Sequence, residues 1–315
     1  MFWDRKKIIT LTLLAALGVF AYITSVGKGT TQVLDIAPEH FAIKDTLAIR
    51  TIVLSQGSRR VELTSKTGAW QVNGRHRASE LNIQRLLYII KNVRAKRSLT
   101  TASAQATIDK LKKDGVTIQV LGQDKPLLEF IADDGELTSS SCFYDPKSQK
   151  AYFVELPAYT DDFSHFFKVD ANVWRSRLIA SNSIKNLETL TSNFNGKVVR
   201  FTYKDAFFEI PNVKNIDSNT VGMYLIQFRN LECDAFVADS LQHLCPKDFK
   251  KAFGSVTIKD IDPTQSNTLY FFEIPSHKRQ FLGYSTKLNE CFWLAKNKTL
   301  DLLIETEKLF EKQQQ

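Results

Sequence analysis

Few residues in this chain have the types and spacing that metal chemistry requires. His243 and Cys245 flank a single residue, and Cys233 lies upstream, so the three side chains resemble a set of zinc ligands. Structural zinc sites usually show a second short-spaced pair of ligands, and the sequence has none. We therefore expect no metal, and we interpret the cysteines as disulfide-bonded or buried beside a surface histidine.

Two pairs of adjacent carboxylates are the next candidates: Asp133–Asp134, and Asp161–Asp162 near His165. Acid–base chemistry needs two groups that share one cleft and have separated pKa values. Adjacent residues of a strand point to opposite faces. The sequence also lacks a nucleotide-binding loop, a nucleophile elbow and an H-E-x-x-H motif. We expect no catalytic residue and no cofactor, so that the protein is not an enzyme.

A group of basic residues is more informative. Arg75 and Arg77 lie in a predicted turn of the first half, and Arg94 and Arg97 lie at the end of its long predicted helix. These four arginines are candidate interaction residues for anionic headgroups or an acidic partner. The alternative interpretation is an ordinary soluble surface that complements helix dipoles.

The four cysteines are Cys142, Cys233, Cys245 and Cys291. An oxidising compartment permits disulfides, and four cysteines allow three complete pairings. Cys233 and Cys245 are closest in sequence and are the predicted disulfide. The alternative is four buried thiols, since cysteine is common in protein cores.

The N-terminal stretch indicates the compartment. Residues 8–26 contain no charge and no proline, and a helix of that length is about 28 Å long, close to the hydrocarbon thickness of a bilayer. We predict an uncleaved signal anchor, with a cleaved signal peptide and a buried core helix as alternatives. The basic residues at 5–7 precede this run. They predict a cytoplasmic N-terminus, a single pass through the inner membrane and a body in the periplasm.

The charge balance bears on the choice of partners. The formal net charge is +8, from 42 Lys and Arg against 34 Asp and Glu. Outside the cytoplasm, nucleic acid is not an expected partner. Anionic headgroups or acidic wall polymers are the natural acceptors of a basic surface.

The chain resembles itself after a shift of 138 positions. Apolar positions between Ile49 and Val93 then fall on apolar residues between Leu187 and Leu231, with Trp70 on Phe208. Further along, "VTI" at 116–118 recurs at 256–258, "LLEF" at 127–130 resembles "FFEI" at 271–274, and "CFY" at 142–144 resembles "CFW" at 291–293. These correspondences predict an internal repeat with small loop insertions.

Each repeat unit is predicted to contain antiparallel strands and two helices. In the first unit, three short strands precede a helix with apolar residues at i, i+3, i+4 and i+7 and with Ser79 as its N-cap. A shorter helix ends near Gly115, and its predicted counterpart is "CPKDFKKAFGS". The predicted class is α+β. The predicted divisions are a cytoplasmic tip and anchor at 1–30, a first unit at 31–157, a connector at 158–182, a second unit at 183–305 and a polar tail at 306–315.

Three stretches, "FAIKDTLAIRTIVLSQ", "GAWQVNGRHRA" and "DANVWRSR", resemble a Bacteroidetes family of single-pass envelope proteins that is classed only as a domain of unknown function. The resemblance implies a periplasmic α+β body on an inner-membrane anchor. Some relatives of the wider class are encoded beside gliding-motility ABC-transporter components, which implies an accessory role. The family supplies no catalytic residues.

These observations favour a membrane-anchored scaffold that docks to another envelope protein. A binding module for a wall glycan or lipid is the alternative, and an envelope hydrolase is a further one. Trp174 stands in an otherwise polar connector. We expect it to bury against both units, with Arg175 or Arg177 bonded nearby, unless it is exposed and binds a partner.

Overall fold

The computed structural model of the chain describes residues 35–66, 68–99, 104–133, 140–157, 159, 162–297, 302 and 307–312. The chain divides between Arg175 and Ser176 into two compact units. The predicted anchor at 8–26 lies outside the described residues. Within the described part, no helix is long and apolar enough to cross a membrane.

The fold is mostly β with few helices, which corrects the expected balance of strands and helices. In the described residues there are two large antiparallel sheets, of nine and eight strands, and four α-helices. Three of the helices lie in the first unit and one in the second. The expected pair of helices is therefore not repeated.

The first unit is built on the nine-stranded sheet. Its strand order is β4-β3-β2-β1-β6-β7-β8-β9-β5. The strands are β1 (Thr51–Gln56), β2 (Arg59–Lys66), β3 (Ala69–Val72), β4 (His76–Arg77), β5 (Arg94–Ser98), β6 (Val116–Leu121), β7 (Pro126–Ala132), β8 (Cys142–Asp145) and β9 (Lys150–Glu155).

Two helices cover opposite faces of this sheet. Helix α1 (Glu80–Asn92) begins at the predicted N-cap, since the Asn82 N–H donates to Ser79 Oγ. It packs Ile83, Leu86, Ile89 and Ile90 into a core that includes Phe143 of β8. Helix α2 (Ala104–Asp114) packs Leu111 against the neighbouring β8 residues Cys142 and Tyr144. Because neighbouring strand residues point to opposite faces, α1 and α2 lie on opposite sides of the sheet.

The second unit is built on the eight-stranded sheet, in the order β13-β12-β11-β16-β17-β18-β19-β15, and β10 pairs separately with β14. Within the described residues it has the α-helix α4 (Ser218–Ile226), with Asp217 as N-cap. The strands are β10 (Leu178–Ala180), β11 (Leu187–Phe194), β12 (Lys197–Lys204), β13 (Phe207–Glu209), β14 (Leu231–Glu232), β15 (Ala235–Phe236), β16 (Gly254–Asp260), β17 (Asn267–Phe272), β18 (Gln280–Ser285) and β19 (Glu290–Ala295).

Strands β1, β2, β3 and β6 share their backbone register with β11, β12, β13 and β16 after a shift of 138. Ile52 faces Leu63 across β1 and β2, and Leu190 faces Phe201 across β11 and β12. The same shift relates every pair between β1 and β6 to a pair between β11 and β16. It also places Trp70 of β3 and Phe208 of β13 at one position, and it relates the N-caps Ser79 and Asp217.

The later correspondences suggested by short motifs are wrong. Ile52 also faces Val120, and Leu190 also faces Ile258, so the shift is still 138 where the two "VTI" motifs require 140. Phe130 faces Ile118, and Leu269 faces Val256. Phe130, the last residue of "LLEF", is therefore equivalent to Leu269, which precedes "FFEI". "CFY" lies in β8, the third strand of its meander, whereas "CFW" lies in β19, the fourth.

The predicted second helix of the second unit is not α-helical. Its region forms short 3-10 turns at Asp239–Leu244 and Phe249–Lys251. Pro246 has no N–H to donate to a helix, and Cys245 is bonded to Cys291 of β19. The disulfide holds this segment against β19.

The predicted connector and tail contribute core residues. The connector places Phe163, Phe167 and Trp174 in the core of the first unit. Trp174 ends the short helix α3 (Ala171–Trp174), and Phe310 of the tail ends a 3-10 turn at Glu307–Phe310 and is buried in the second unit. This corrects the predicted boundaries, because each unit includes a closing segment that carries a buried aromatic residue.

Candidate functional site

The disulfide joins Cys245 to Cys291, with Cα atoms 6.0 Å apart, which corrects the predicted pair Cys233–Cys245. Cys233 is buried in the core of the second unit, where its N–H donates to the Arg177 carbonyl at 2.9 Å. Cys233 and Cys245 therefore pack in different clusters of apolar residues. In the part of the chain that the structure describes, no group of His, Cys, Asp or Glu side chains is arranged to hold a metal ion.

The four candidate arginines do not form one patch. Strands β4 and β5 are the two ends of the nine-stranded sheet, and Arg77 lies on β4 whereas Arg94 and Arg97 lie on β5. Helix α1 runs between them, and thirteen residues span about 20 Å. Arg77 forms an ion pair with Glu80, and the Arg97 guanidinium lies 4.2 Å from the centre of the Phe153 ring.

Trp174 is not available as an interaction residue, because only 2% of it is exposed. Its indole Nε1 donates to the Lys168 carbonyl at 2.7 Å, and its own carbonyl accepts from the Ser79 N–H at 2.7 Å. Trp174 is therefore buried, but the contacts named here belong to the first unit and not to both units as expected. Arg177 donates from Nη1 to the Asp234 carbonyl at 3.2 Å, as expected for one of the two flanking arginines.

One member of each carboxylate pair, Asp133 and Asp162, lies within the described residues. Asp134 and Asp161 lie outside them. Asp133 is buried, and Asp162 accepts hydrogen bonds from Ser141 Oγ and the Ser164 N–H. The nearby Cys142 thiol is also buried. Burial, with a further contribution from the charge of Asp133, raises the pKa of Cys142 to about 12. The Cys142 thiol is therefore protonated at neutral pH.

Sequence reasoning missed the ion pairs made by residues 35–43, a segment that we call the strap. His40 Nε2 lies 3.0 Å from Asp145 Oδ2, at the start of the turn between β8 and β9. Lys150, at the other end of that turn, forms an ion pair with Asp35. Pairs this distant in sequence leave no local signal, so only the fold brings them together.

The strap is also bonded through its backbone. The Ile43 N–H donates to the Ile90 carbonyl at the end of α1, and the Ala95 N–H of β5 donates to the Pro38 carbonyl. Phe41 is fully buried and contacts the rings of Phe130, Phe143 and Tyr152 edge-on. The first described residues are therefore fixed to the body of the first unit.

The hydrogen bonds of Asp145 perturb its titration. Burial by itself raises the pKa of this carboxyl group. Hydrogen bonds from the Lys147 N–H, the Ser148 side chain and His40 outweigh burial, so that the pKa of Asp145 is lower than its ordinary value. The pKa of Asp35 is also lowered, mainly by the hydrogen bond from Lys150. Both carboxylates are therefore charged at neutral pH.

The outer faces of the two long helices both carry exposed apolar side chains, and one position, Tyr88 on α1 and Ile226 on α4, is apolar in both. On α1, Leu81 and Tyr88 are more than half exposed. On α4, the shift of 138 places Met223 at the position of Arg85 and Ile226 at the position of Tyr88, and Met223 is 74% exposed. The closing segments add Val173 in the first unit and Leu309 in the second, both exposed. Large apolar side chains exposed together on one element mark candidate binding surfaces.

The two helix faces differ in charge. The outer positions of α4 are Asn219, Met223 and Ile226, none of them charged. On α1, the basic residues Arg85 and Lys91 accompany Leu81 and Tyr88. We call these the α4 face (Met223, Ile226 and Leu309) and the α1 face (Leu81, Arg85, Tyr88 and Lys91).

Comparison with protein-family models, curated proteins and solved structures finds no match to this chain.

Proposed function

We propose that this protein is a membrane-anchored scaffold outside the cytoplasm, and that it docks another envelope protein on the α4 face. The apolar exposure of that face is the observation that carries the proposal. Met223, Ile226 and Leu309 are more than half exposed and belong to elements that contact each other. Uncharged apolar patches of this kind suit the central part of a protein–protein interface.

The compartment is supported by the Cys245–Cys291 disulfide. Structural disulfides persist in oxidising compartments and are rare in the cytosol. An anchor at residues 8–26 with its basic flank inside agrees with such a location. The resemblance to single-pass envelope proteins of Bacteroidetes points the same way, and the accessory role of some relatives suits a docking protein.

We also propose that the scaffold arose by tandem duplication of one unit. The shared register over β1, β2, β3 and β6 supports this origin, as does the repeated N-cap of the long helix. A duplicated unit provides two copies of one helix face, which can then diverge in charge. The uncharged α4 face is assigned to the protein partner.

Photo-cross-linking in intact cells tests the docking proposal. A photoreactive amino acid at position 223 should give a discrete cross-linked protein, and Ile226→Glu should abolish it because a buried unpaired charge is costly. The matched control is position 198 on β12, where Val198 is also more than half exposed. Equal cross-linking from 198 and 223, or a product that survives Ile226→Glu, would contradict the assignment.

A further inference from the structure

We infer that the α1 face of the first unit rests on the surface of an anionic lipid bilayer. This inference depends on the membrane anchor of the proposed function. It goes further by naming the surface of the body that contacts the lipid and the chemistry of that contact. Two independent features carry it: the point at which the described chain begins, and the composition of the α1 face.

The start of the described chain limits how far the body can lie from the bilayer. The predicted anchor ends at residue 26 and the strap begins at Asp35, so residues 27–34 separate them. A chain extends by at most about 3.5 Å per residue, which gives a reach of about 28 Å. The strap reaches α1 within eight residues, since the Ile43 N–H bonds to the Ile90 carbonyl. The first unit is therefore tethered close to the bilayer, with the end of α1 near the tether.

The composition of the α1 face suits a headgroup region. Leu81 and Tyr88 are exposed at the outermost positions of the helix, with Arg85 between them and Lys91 beside them. Interfacial helices combine apolar and aromatic side chains with Lys and Arg, which attract anionic lipids. Leu47 extends the apolar surface, because it is 83% exposed in the short turn (Thr46–Ala48) that contacts α1.

Among the described residues, helix α2 on the opposite side of the sheet lacks this combination. Helix α2 exposes lysines, including Lys110 and Lys113, but its larger apolar residues Ile108 and Leu111 pack against the sheet. Charge alone would therefore not distinguish the two helices, whereas the exposed apolar side chains occur on α1. Position 113 on α2 is consequently a matched control on the far side of the same unit.

The test uses the full chain reconstituted in vesicles of phosphatidylethanolamine and phosphatidylglycerol. A fluorophore is attached at Tyr88→Cys or at Lys113→Cys, and quenching by headgroup-spin-labelled lipid is measured. Cys142 and Cys233 are buried and Cys245 is bonded to Cys291, so labelling is confined to the new cysteine. We expect strong quenching at 88 and little at 113. Replacing phosphatidylglycerol by phosphatidylcholine should reduce quenching at 88.

Charge variants complete the test. Arg85→Gln combined with Lys91→Gln should lower the ratio of lipid-contacting to free bodies about 25-fold, since each basic residue near an anionic surface contributes about a factor of five. Equal quenching at 88 and 113 would overturn the inference. Quenching at 88 that is the same in phosphatidylglycerol and phosphatidylcholine vesicles would also overturn it. A chain that floats with the vesicles but shows no quenching at 88 overturns only the α1 assignment. A chain that does not float with them contradicts the anchor and the proposed function together.

Discussion

Trp174 and Phe310 close their units with the same backbone contact. The Trp174 carbonyl accepts a hydrogen bond of 2.7 Å from the N–H of the N-cap Ser79, and the Phe310 carbonyl accepts one of 2.7 Å from the N-cap Asp217. The next residue also pairs equivalently, Arg175 with Ala78 and Glu311 with Ile216. Each unit thus ends by joining its last aromatic residue to the start of its long helix.

This relationship predicts equal effects for two distant substitutions. Trp174→Ala and Phe310→Ala should each lower the free energy of unfolding of their own unit by about 3–5 kcal/mol, because each empties a packed position in the core. Urea unfolding monitored by hydrogen exchange separates the two units. Trp174→Ala should weaken protection of the first sheet, and Phe310→Ala that of the second.

The neighbouring residues provide matched controls for this prediction. Val173 and Leu309 precede the two aromatic residues and are exposed, so their alanine variants should change stability by no more than about 0.5 kcal/mol. Deleting residues 306–315 should reproduce the effect of Phe310→Ala. A deletion that leaves the second unit fully stable would show that the tail does not close it.

The disulfide gives a second prediction. A non-reduced peptide map of the protein isolated from its membrane should link Cys245 to Cys291. Cys291→Ser should lower stability by roughly 2–4 kcal/mol, because the bond closes a loop of 46 residues. Cys233→Ser is the control, and it should leave the cross-linked peptide unchanged. A map that joins Cys233 to Cys245 would contradict the position of Cys245 beside Cys291 of β19.

The strap gives a third prediction, on pH. The pKa of Asp145 is lower in the folded protein than its ordinary value of 3.8. The stability that its carboxylate contributes is therefore present above that value and is lost as the pH falls through the lowered pKa. Hydrogen exchange of the Ile43 amide, corrected for its intrinsic pH dependence, should show the strap loosening below about pH 4.

Asp145→Asn is the matching variant. At pH 7 it should destabilise the strap by roughly 1.5–3 kcal/mol, because it removes the charge from a buried acceptor of several hydrogen bonds. It should also flatten the acid limb of the profile. A variant that keeps the full loss below pH 4 would assign the effect to other carboxylates, Asp35 first among them.

The sequence predicted the units best where periodicity and register act together. Strands β1 to β3 and helix α1 follow alternating or helical apolar patterns, so the shift of 138 from Ile49 to Val93 agrees with the backbone pairing. Three-residue motifs such as "VTI" are too short to fix a register. The apparent insertions that they suggested between β3 and β6 do not occur.

The remaining errors come from contacts between distant parts of the chain. Cys245 is bonded to Cys291, 46 residues away. Proximity in sequence favoured Cys233, but proximity carries no information on which strands are neighbours in the sheet. Most residues of the tail are polar, so its composition did not reveal that one residue, Phe310, is buried in the core of the second unit. The strap cluster joins His40 to Asp145, and no local pattern predicts a pair of that separation.

The location of the body tests the central claim most directly. A reporter that is active only outside the cytoplasm should be active when it is fused after Gln315 in the full chain. The same reporter fused before Arg5 should be inactive, since the basic flank is predicted to stay inside. Activity of the first fusion alone is the result the account predicts. Activity only from a cytoplasmic reporter fused after Gln315 would contradict the anchor, the docking role and the assignment of the α1 face.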